Sequence, residues 1–163
     1  MQEYAYTYST EEPPDSVKQI PFFQAVSSEA LSELLKHTTI LDCEPGDRVT
    51  SEGEQDNSLL FLLKGKVRVL VDGTSVASAW ESGDMLGELS LLNHTGRTAT
   101  VTAQDHVYCL KVDPKFVDDL PAEEAIAFHA AMYRFIARLL AERLTKTSDK
   151  LAIAEKRLAE LGG

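Results

Sequence analysis

One stretch of the sequence, residues 87–101, gathers side chains whose types and spacing suit the binding of a phosphate group. It opens with Gly87, a residue that lets backbone approach a ligand closely. Arg97 follows Glu88 by nine residues, and its planar guanidinium matches the geometry of phosphate oxygens. Thr98 adds a hydroxyl, whereas the carboxylate of Glu88 suits a sugar hydroxyl and not a phosphate. The stretch therefore predicts a site for a ligand that carries both groups.

The start of this stretch, residues 87–93, also differs in pattern from its surroundings. It lacks the alternation and the β-branched residues of a strand, so it predicts two helical turns placed between strands. The N-terminus of a helix presents free N–H groups to anions. The N–H groups near Leu89 and Ser90 are therefore candidate donors to phosphate oxygens.

Around this segment, from residue 38 to residue 112, the sequence is a series of short apolar or alternating runs. Turn-forming residues separate the runs, and Asp72-Gly73 between two alternating runs is typical of a two-residue hairpin. Many short strands at this spacing predict a mainly β protein, an antiparallel jelly-roll barrel with flanking helices. The predicted strands are residues 39–43, 48–51, 58–63, 66–71, 74–80, 98–103 and 107–112.

Helices are predicted on both sides of the strands. Residues 28–37 form a short amphipathic helix with Ser27 or Ser28 as its cap. After Asp113-Pro114 a long helix is predicted, and its apolar residues repeat at alternating steps of four and three, which indicates a heptad seam and a homodimer through this helix. A second apolar stripe, confined to the first half, predicts simultaneous packing on the barrel. The seam consists of Tyr133, Ala137, Leu140, Leu144, Thr147, Leu151, Ala154, Leu158 and Leu161.

The composition bounds the function. With 163 residues, of which 44% are apolar, the chain suits one soluble domain. It contains no apolar run near the ~20 residues of a membrane span, and residues 1–15 do not resemble a secretory signal, so a cytoplasmic location is expected. Acidic residues outnumber basic ones by 26 to 16, a balance that disfavours nucleic acid and anionic membranes as partners. Any anion site must therefore be a local arrangement.

The sequence carries no pattern of an enzyme or of a metal site. It has no GxSxG, no phosphate-binding P-loop and no paired carboxylates beside a base, so no catalysis is expected. Cys43 and Cys109 lie in apolar, strand-like surroundings without CxxC spacing and are expected to be buried. The four histidines are too scattered to bind a metal ion; they are His37, His94, His106 and His129.

Residues 87–101 resemble the phosphate-binding cassette of the cyclic-nucleotide-binding family, which includes the catabolite activator protein, regulatory subunits of cAMP-dependent kinases and gated channels. The family pattern is G-E-L-x-L, a short spacer, then R-(S/T/A)-A-x-V, and the resemblance extends roughly over residues 20–161. It implies that Glu88 binds the ribose 2′-hydroxyl and that Arg97 and Thr98 bind the cyclic phosphate. Gly87, Leu89 and Ser90 would contribute backbone groups, and Ala99 is a further candidate ligand-binding residue of the cassette.

Residues 143–151 resemble the central helix of the catabolite activator protein, in which a Thr-Ser pair reaches the adenine with one hydroxyl from the opposite subunit. The resemblance implies that Thr147 and Ser148 contact the base, one in each subunit, and it favours cAMP. Thr98 keeps cGMP open, because in some relatives a threonine at that place reaches the guanine amino group. For Thr147 the alternative is that it merely caps or solvates a loosely packed coil.

These patterns together predict a cAMP-binding sensor with a flexible arm at residues 1–15, a β-roll domain at 16–124 and a C-terminal helix at 125–161. No helix-turn-helix segment follows before Gly162-Gly163, so no DNA binding by this chain is expected. A downstream protein is expected as a further partner. Two alternatives stay open: a cGMP sensor, and a dimerisation scaffold of the same fold that no longer binds nucleotide.

Overall fold

The computed structural model describes residues 1–6, 15–78 and 82–161. Strands dominate the chain up to Val112, and one helix of 40 residues forms the last quarter. In chain order the elements are β1 Gln2–Ala5, α1 Asp15–Lys18, α2 Pro21–Gln24, α3 Ser28–Lys36, β2 Thr38–Cys43, β3 Arg48–Thr50, β4 Leu59–Lys64, β5 Val67–Val71, β6 Thr74–Ser78, β7 Met85–Leu86, α4 Glu88–Asn93, β8 Thr100–Ala103, β9 Val107–Val112, a 3₁₀ helix Pro114–Asp119 and α5 Ala122–Leu161.

The strands form two antiparallel sheets, one in the order β1-β2-β9-β4-β7 and the other in the order β3-β8-β5-β6. The predicted hairpin at Asp72-Gly73 is confirmed, because Val71 pairs with Thr74 and both turn residues have positive φ. The predicted fold class, a mainly β roll with an embedded helix and a long C-terminal helix, is confirmed. Each predicted strand lies within two residues of an observed one, and the predicted end of the fifth run at Trp80 lies outside the described residues.

The core has two parts that the alternation of the strands separates. On β4, Leu60 and Leu62 face the second sheet, whereas Leu59 and Phe61 face the helices. Cys43 and Cys109 lie in the inter-sheet core and are fully buried, as predicted. Burial raises the pKa of Cys43 to about 11 and that of Cys109 to about 12, so both thiols act as apolar packing groups.

The helical layer is held by aromatic residues. Phe22 of α2 stacks on Phe61 of β4 at 5.4 Å between ring centroids and meets Phe128 and Phe135 of α5 edge to face. Each fully buried phenylalanine contributes roughly 1.5–3 kcal/mol through removal of apolar surface from water. This cluster fixes the first half of α5 against the five-stranded sheet, as the second apolar stripe predicts.

Helix α3 begins as the sequence predicts. The hydroxyl of Ser27 accepts the N–H of Ala30 at 3.2 Å, so Ser27 is the N-cap. Helix α5 begins at Ala122, three residues before the predicted boundary at residue 125. Among the helices described, none combines the length and the apolarity that crossing a membrane requires.

The N-terminal arm differs from expectation where the structure describes it. Gln2–Ala5 form an edge strand that pairs with β2, and all four of its residues are exposed. This strand has no buried face, and the sequence shows no apolar alternation there. Backbone pairing with β2 holds it, together with the carboxylate of Glu3, which accepts the hydroxyl of Thr39 at 2.9 Å. The rest of the arm between residues 7 and 14, like Gly162-Gly163, lies outside the described residues.

Candidate functional site

Helix α4 enters the roll through Gly87, which follows directly after the short strand β7. Gly87 has φ of 92°, a left-handed conformation that residues with a Cβ rarely adopt. A Cβ at this position would overlap the guanidinium of Arg97 and lie 2.6 Å from the carbonyl oxygen of Ser58. The glycine is therefore required twice, for the backbone turn and for the approach of Arg97.

Arg97 is a buried cation with only part of its donor capacity used. Its side chain is 3% exposed, and Nη2 donates to Asp56 Oδ2 and to Ser58 Oγ, each at 3.0 Å. Among the described residues, Nε and Nη1 have no hydrogen-bond partner. A buried donor without an acceptor costs roughly 1–3 kcal/mol, and more when it is charged, so this arrangement is typical of a ligand-binding position.

Asp56 holds Arg97 from behind. Its carboxylate accepts the N–H of Ser58 at 2.8 Å and the Ser58 hydroxyl at 2.9 Å, and Lys111 Nζ lies 3.7 Å away. Burial is the largest single influence and disfavours the ionised carboxylate. The hydrogen bonds from Ser58 and the charges of Arg97 and Lys111 outweigh it, so the pKa of Asp56 is lowered. The carboxylate is thus ionised and fixes the orientation of the guanidinium.

Glu88 is the second buried charge of the site, with a side chain that is 4% exposed. Arg143 of α5 binds its carboxylate through Nη1 and donates from Nη2 to the carbonyl oxygen of Met85 at 2.5 Å. Burial lowers the pKa of Arg143, and the negative charges of Glu88 and Asp84 oppose that effect. This ion pair connects the long helix to the first residue of α4.

A cavity of about 490 Å³ lies between these groups. It brings together eight of the nine residues singled out in the sequence. Ser148 does not line it and is exposed beside Thr147 on α5. The second sheet supplies apolar walls through Val69, Val71, Val76 and Val101, and β7 adds Leu86. The eight residues are Gly87, Glu88, Leu89, Ser90, Arg97, Thr98, Ala99 and Thr147.

Three residues of the site were missed in the sequence. Asp56 and Ser58 follow the turn at Glu52-Gly53 and are too far from Arg97 along the chain for any local spacing to connect them. Arg143 lies on a helix that carries several other basic residues, so its sequence position does not distinguish it from them. One local signal was available in the sequence. Asp56 and Ser58 are two residues apart, a spacing typical of an aspartate whose carboxylate accepts the backbone N–H two residues later in a turn.

The arrangement suits the binding of a small ligand. It offers a partly unsatisfied guanidinium, a buried carboxylate and an apolar chamber, and these together accept a ligand with an anionic group, a hydroxyl group and a flat apolar part. Across the described ranges there is no group of three or more His, Cys, Asp or Glu side chains placed to hold a metal ion.

Comparison with known proteins finds relatives of several kinds. The regulatory subunit of cAMP-dependent protein kinase from Debaryomyces hansenii is 34% identical over 93 residues, which cover 57% of this chain and 21% of the relative. The CRP-like cAMP-activated global transcriptional regulator of Mycobacterium tuberculosis is 29% identical over 134 residues, 80% of this chain and 58% of the relative. This chain thus spans less than two thirds of the length of these relatives.

Among solved structures, a cyclic nucleotide-binding domain from Methylobacillus flagellatus KT superposes with a TM-score of 0.68 at 21% identity, over 83% of this chain and 78% of that one. At this identity the likeness shows the fold. The family model described as "Cyclic nucleotide-binding domain" matches residues 40–124, which is more than half of the 163 residues. The chain therefore belongs to the cyclic nucleotide-binding domain family.

Proposed function

We propose that this chain is a regulatory sensor that binds a cyclic nucleotide, cAMP in preference to cGMP, without converting it. The observation that carries the proposal is the buried guanidinium of Arg97, whose Nε and Nη1 lack partners among the described residues while Glu88 lines the same cavity. A cyclic phosphate supplies the missing acceptors and the negative charge.

The cassette residues divide between the phosphate and the sugar. Arg97 binds the phosphate with its two free donors, and Gly87 leaves the space that a side chain would fill. Thr98 and Ala99 continue along the same wall, and the backbone N–H groups near Leu89 and Ser90 are further donors. Glu88 accepts the ribose 2′-hydroxyl, a neutral donor that can reach the carboxylate beside Arg143.

The preference for cAMP rests on the Thr147-Ser148 pair. Thr147 lines the cavity and is available to the base, whereas Ser148 is exposed and is available to the site of a second copy. The two relatives described above carry cAMP in their names, which supports the same ligand here. Two cGMP-dependent protein kinases are also similar to this chain. Thr98 also lines the cavity, so cGMP is the competing ligand that an experiment must include.

Ligand binding is coupled to the long helix through Arg143. This residue belongs to α5 and contacts both Glu88 and the carbonyl of Met85. A ligand that binds Glu88 therefore alters the ion pair that attaches α5 to the cavity. Binding then shifts an existing equilibrium in the packing of α5 by the difference in affinity for the two arrangements. The second half of α5 passes that shift to a homodimer partner.

Calorimetric titration with cAMP and with cGMP tests the proposal. We expect cAMP to bind more tightly than cGMP, and Arg97→Ala to weaken cAMP binding at least about tenfold because a charge-assisted contact is lost. Arg48→Ala is the matched control, since Arg48 is exposed on β3 and lies outside the cavity. Unchanged affinity in Arg97→Ala would refute the site, and no binding of either nucleotide by the unaltered chain would favour the scaffold alternative.

Chromatography after incubation with cAMP tests whether the chain converts its ligand. It should show no AMP.

A further inference from the structure

The ion pair of Arg97 and Asp56 lies between two cavities. Arg97 lines the ligand cavity, whereas Asp56 lines a separate groove of about 780 Å³. The side chain of Asp56 is 24% exposed, and that of Arg97 is 3% exposed. A charged group in the groove can therefore reach Asp56, and through it influence the guanidinium, without contacting the ligand.

Lys111 of β9 supplies a cation at this position. The side chains of Val107 and Cys109 lie in the core between the sheets, and Lys111, two residues after Cys109, lies on the same side of the strand and lines the groove. Its Nζ is 3.7 Å from Oδ2 of Asp56, the oxygen that also accepts Nη2 of Arg97. One carboxylate oxygen therefore faces two cations.

Glu3 of strand β1 shares this cation with Asp56. Its Oε1 lies 3.8 Å from Nζ of Lys111 and accepts the hydroxyl of Thr39 at 2.9 Å. Thr39 stands opposite Lys111 in the pairing of β2 with β9, so the contact with Thr39 holds the Glu3 carboxylate beside the lysine. The N-terminal strand therefore places a negative charge next to the cation that faces Asp56.

The ammonium of Lys111 is held tightly by neither carboxylate. Both distances exceed the ~2.7–3.2 Å of a hydrogen bond, and the side chains of Lys111 and Glu3 are 32% and 45% exposed. Ion pairs of this kind are weak, and a lysine side chain has a flexible four-carbon stem. Removal of one carboxylate therefore lets the ammonium move toward the other.

We infer that Lys111 is a positioning residue of the ligand cavity and that Glu3 on the N-terminal strand limits its effect; this inference rests on the proposed function. The ammonium offsets part of the negative charge of Asp56, so the guanidinium of Arg97 attracts an anionic ligand more strongly. Glu3 opposes this effect, because it draws the ammonium away from Asp56. Attachment of β1 therefore lowers the affinity of the cavity for a cyclic phosphate, and release of β1 raises it.

Substitution of Lys111 tests the first part by calorimetry with cAMP. We expect Lys111→Met to weaken binding about threefold, the range of a partly exposed ion pair, whereas Lys111→Arg keeps a cation and should bind within about 1.5-fold of the unaltered chain. Lys64→Met is the matched control, because Lys64 is exposed at the end of β4 and lines neither cavity. Affinity in Lys111→Met equal to that of the control would overturn the assignment of Lys111.

A double-variant cycle tests whether Glu3 acts through Lys111. Glu3→Gln should bind cAMP about twofold more tightly, since the ammonium then moves toward Asp56. In the Lys111→Met background the same substitution should leave the affinity unchanged. Glu44→Gln, an exposed change of equal charge just after β2, controls for the net charge of the chain. Equal gains from Glu3→Gln in both backgrounds would overturn the route through Lys111.

The pKa of Asp56 reports on the same contacts without nucleotide. The charge of Lys111 favours the ionised carboxylate, so Lys111→Met should raise this pKa, and Glu3→Gln should lower it further below the ordinary value. Carboxyl NMR titration of the nucleotide-free chain measures both shifts, and the amide spectrum shows that each variant is folded. An unchanged pKa in Lys111→Met would overturn the inference.

The two kinds of measurement separate this inference from the proposed function. If the unaltered chain bound no cyclic nucleotide, the sensor would be refuted, while opposite shifts of the Asp56 pKa in the two variants would still uphold the link from β1 through Lys111 to the cavity. If the unaltered chain bound cAMP and Lys111→Met bound it equally well, only the role of Lys111 and Glu3 would be refuted.

Discussion

Arg97 and Asp56 form a partly buried ion pair in which Nη2 lies 3.0 Å from Oδ2, while the other two nitrogens of the guanidinium have no partner in the described part of the chain. The pair therefore fixes the orientation of the guanidinium and leaves Nε and Nη1 available to a ligand. A guanidinium that is already fixed loses little conformational entropy when an anion arrives, and this favours affinity. Asp56 is accordingly a positioning residue for Arg97.

The lowered pKa of Asp56 predicts a specific dependence of stability on pH. Its contribution is present above the ordinary carboxyl pKa of 3.8 and is lost as the pH falls through the lower folded value. We expect the free energy of unfolding to fall less steeply below about pH 5 in Asp56→Asn than in the unaltered chain. Urea unfolding at several pH values measures this, with the exposed Asp118→Asn as control. Identical pH slopes in all three proteins would contradict the prediction.

Gly87→Ala is expected to abolish nucleotide binding and to reduce stability. The new Cβ meets Arg97 and the carbonyl of Ser58, so the guanidinium must move. Gly46→Ala is the matched control, because Gly46 has φ of 90° and no atom lies within 4 Å of the point that an added Cβ would occupy. The control carries the same backbone strain and should keep its affinity for cAMP in calorimetry. Equal loss of affinity in both variants would show that backbone strain alone is responsible.

A ligand-based cycle tests whether Glu88 binds the ribose. We expect 2′-deoxy-cAMP to bind the unaltered chain about tenfold or more weakly than cAMP, since a hydrogen bond to a charged group is lost. In Glu88→Gln the two nucleotides should bind with similar affinity, because that contact is already weakened. Calorimetry on both proteins with both ligands measures the coupling. Losses that simply add would place the 2′-hydroxyl away from Glu88.

The strands were predictable because the alternation of apolar residues within each short segment indicates which side chains are buried. On β4 successive residues face the two cores in turn, and at Asp72-Gly73 the turn chemistry specifies the hairpin. Strand β1 carries neither signal. Its four residues are exposed, and its position depends on pairing with the edge of β2 and on the contact of Glu3 with Thr39. A local pattern therefore cannot reveal an element that depends on a distant backbone.

The same distinction holds for the cavity. The cassette is contiguous, so Gly87, Glu88 and Arg97 could be selected together from the sequence. Asp56 stands 41 positions from Arg97, and Arg143 stands 55 positions from Glu88. Their partnership arises only when β4 and α5 pack around the cassette. Charge pairs between residues so far apart in the chain produce no repeating pattern in the sequence, so the sequence alone does not reveal them.

Arg143→Met tests whether the long helix is tied to the cavity by charge. Methionine keeps much of the apolar stem but leaves the buried carboxylate of Glu88 without its cation, so we expect a loss of about 1–3 kcal/mol in the free energy of unfolding, less than for a fully buried pair. In the Glu88→Gln background the same substitution should cost clearly less, because the charge that Arg143 neutralises has been removed. Arg138→Met, an exposed change on the same helix, is the control, and urea unfolding of the set gives the coupling. Equal costs in both backgrounds would mean that Arg143 holds α5 through the carbonyl of Met85 and through Asp84, with no energetic link to the carboxylate that we assign to the ligand.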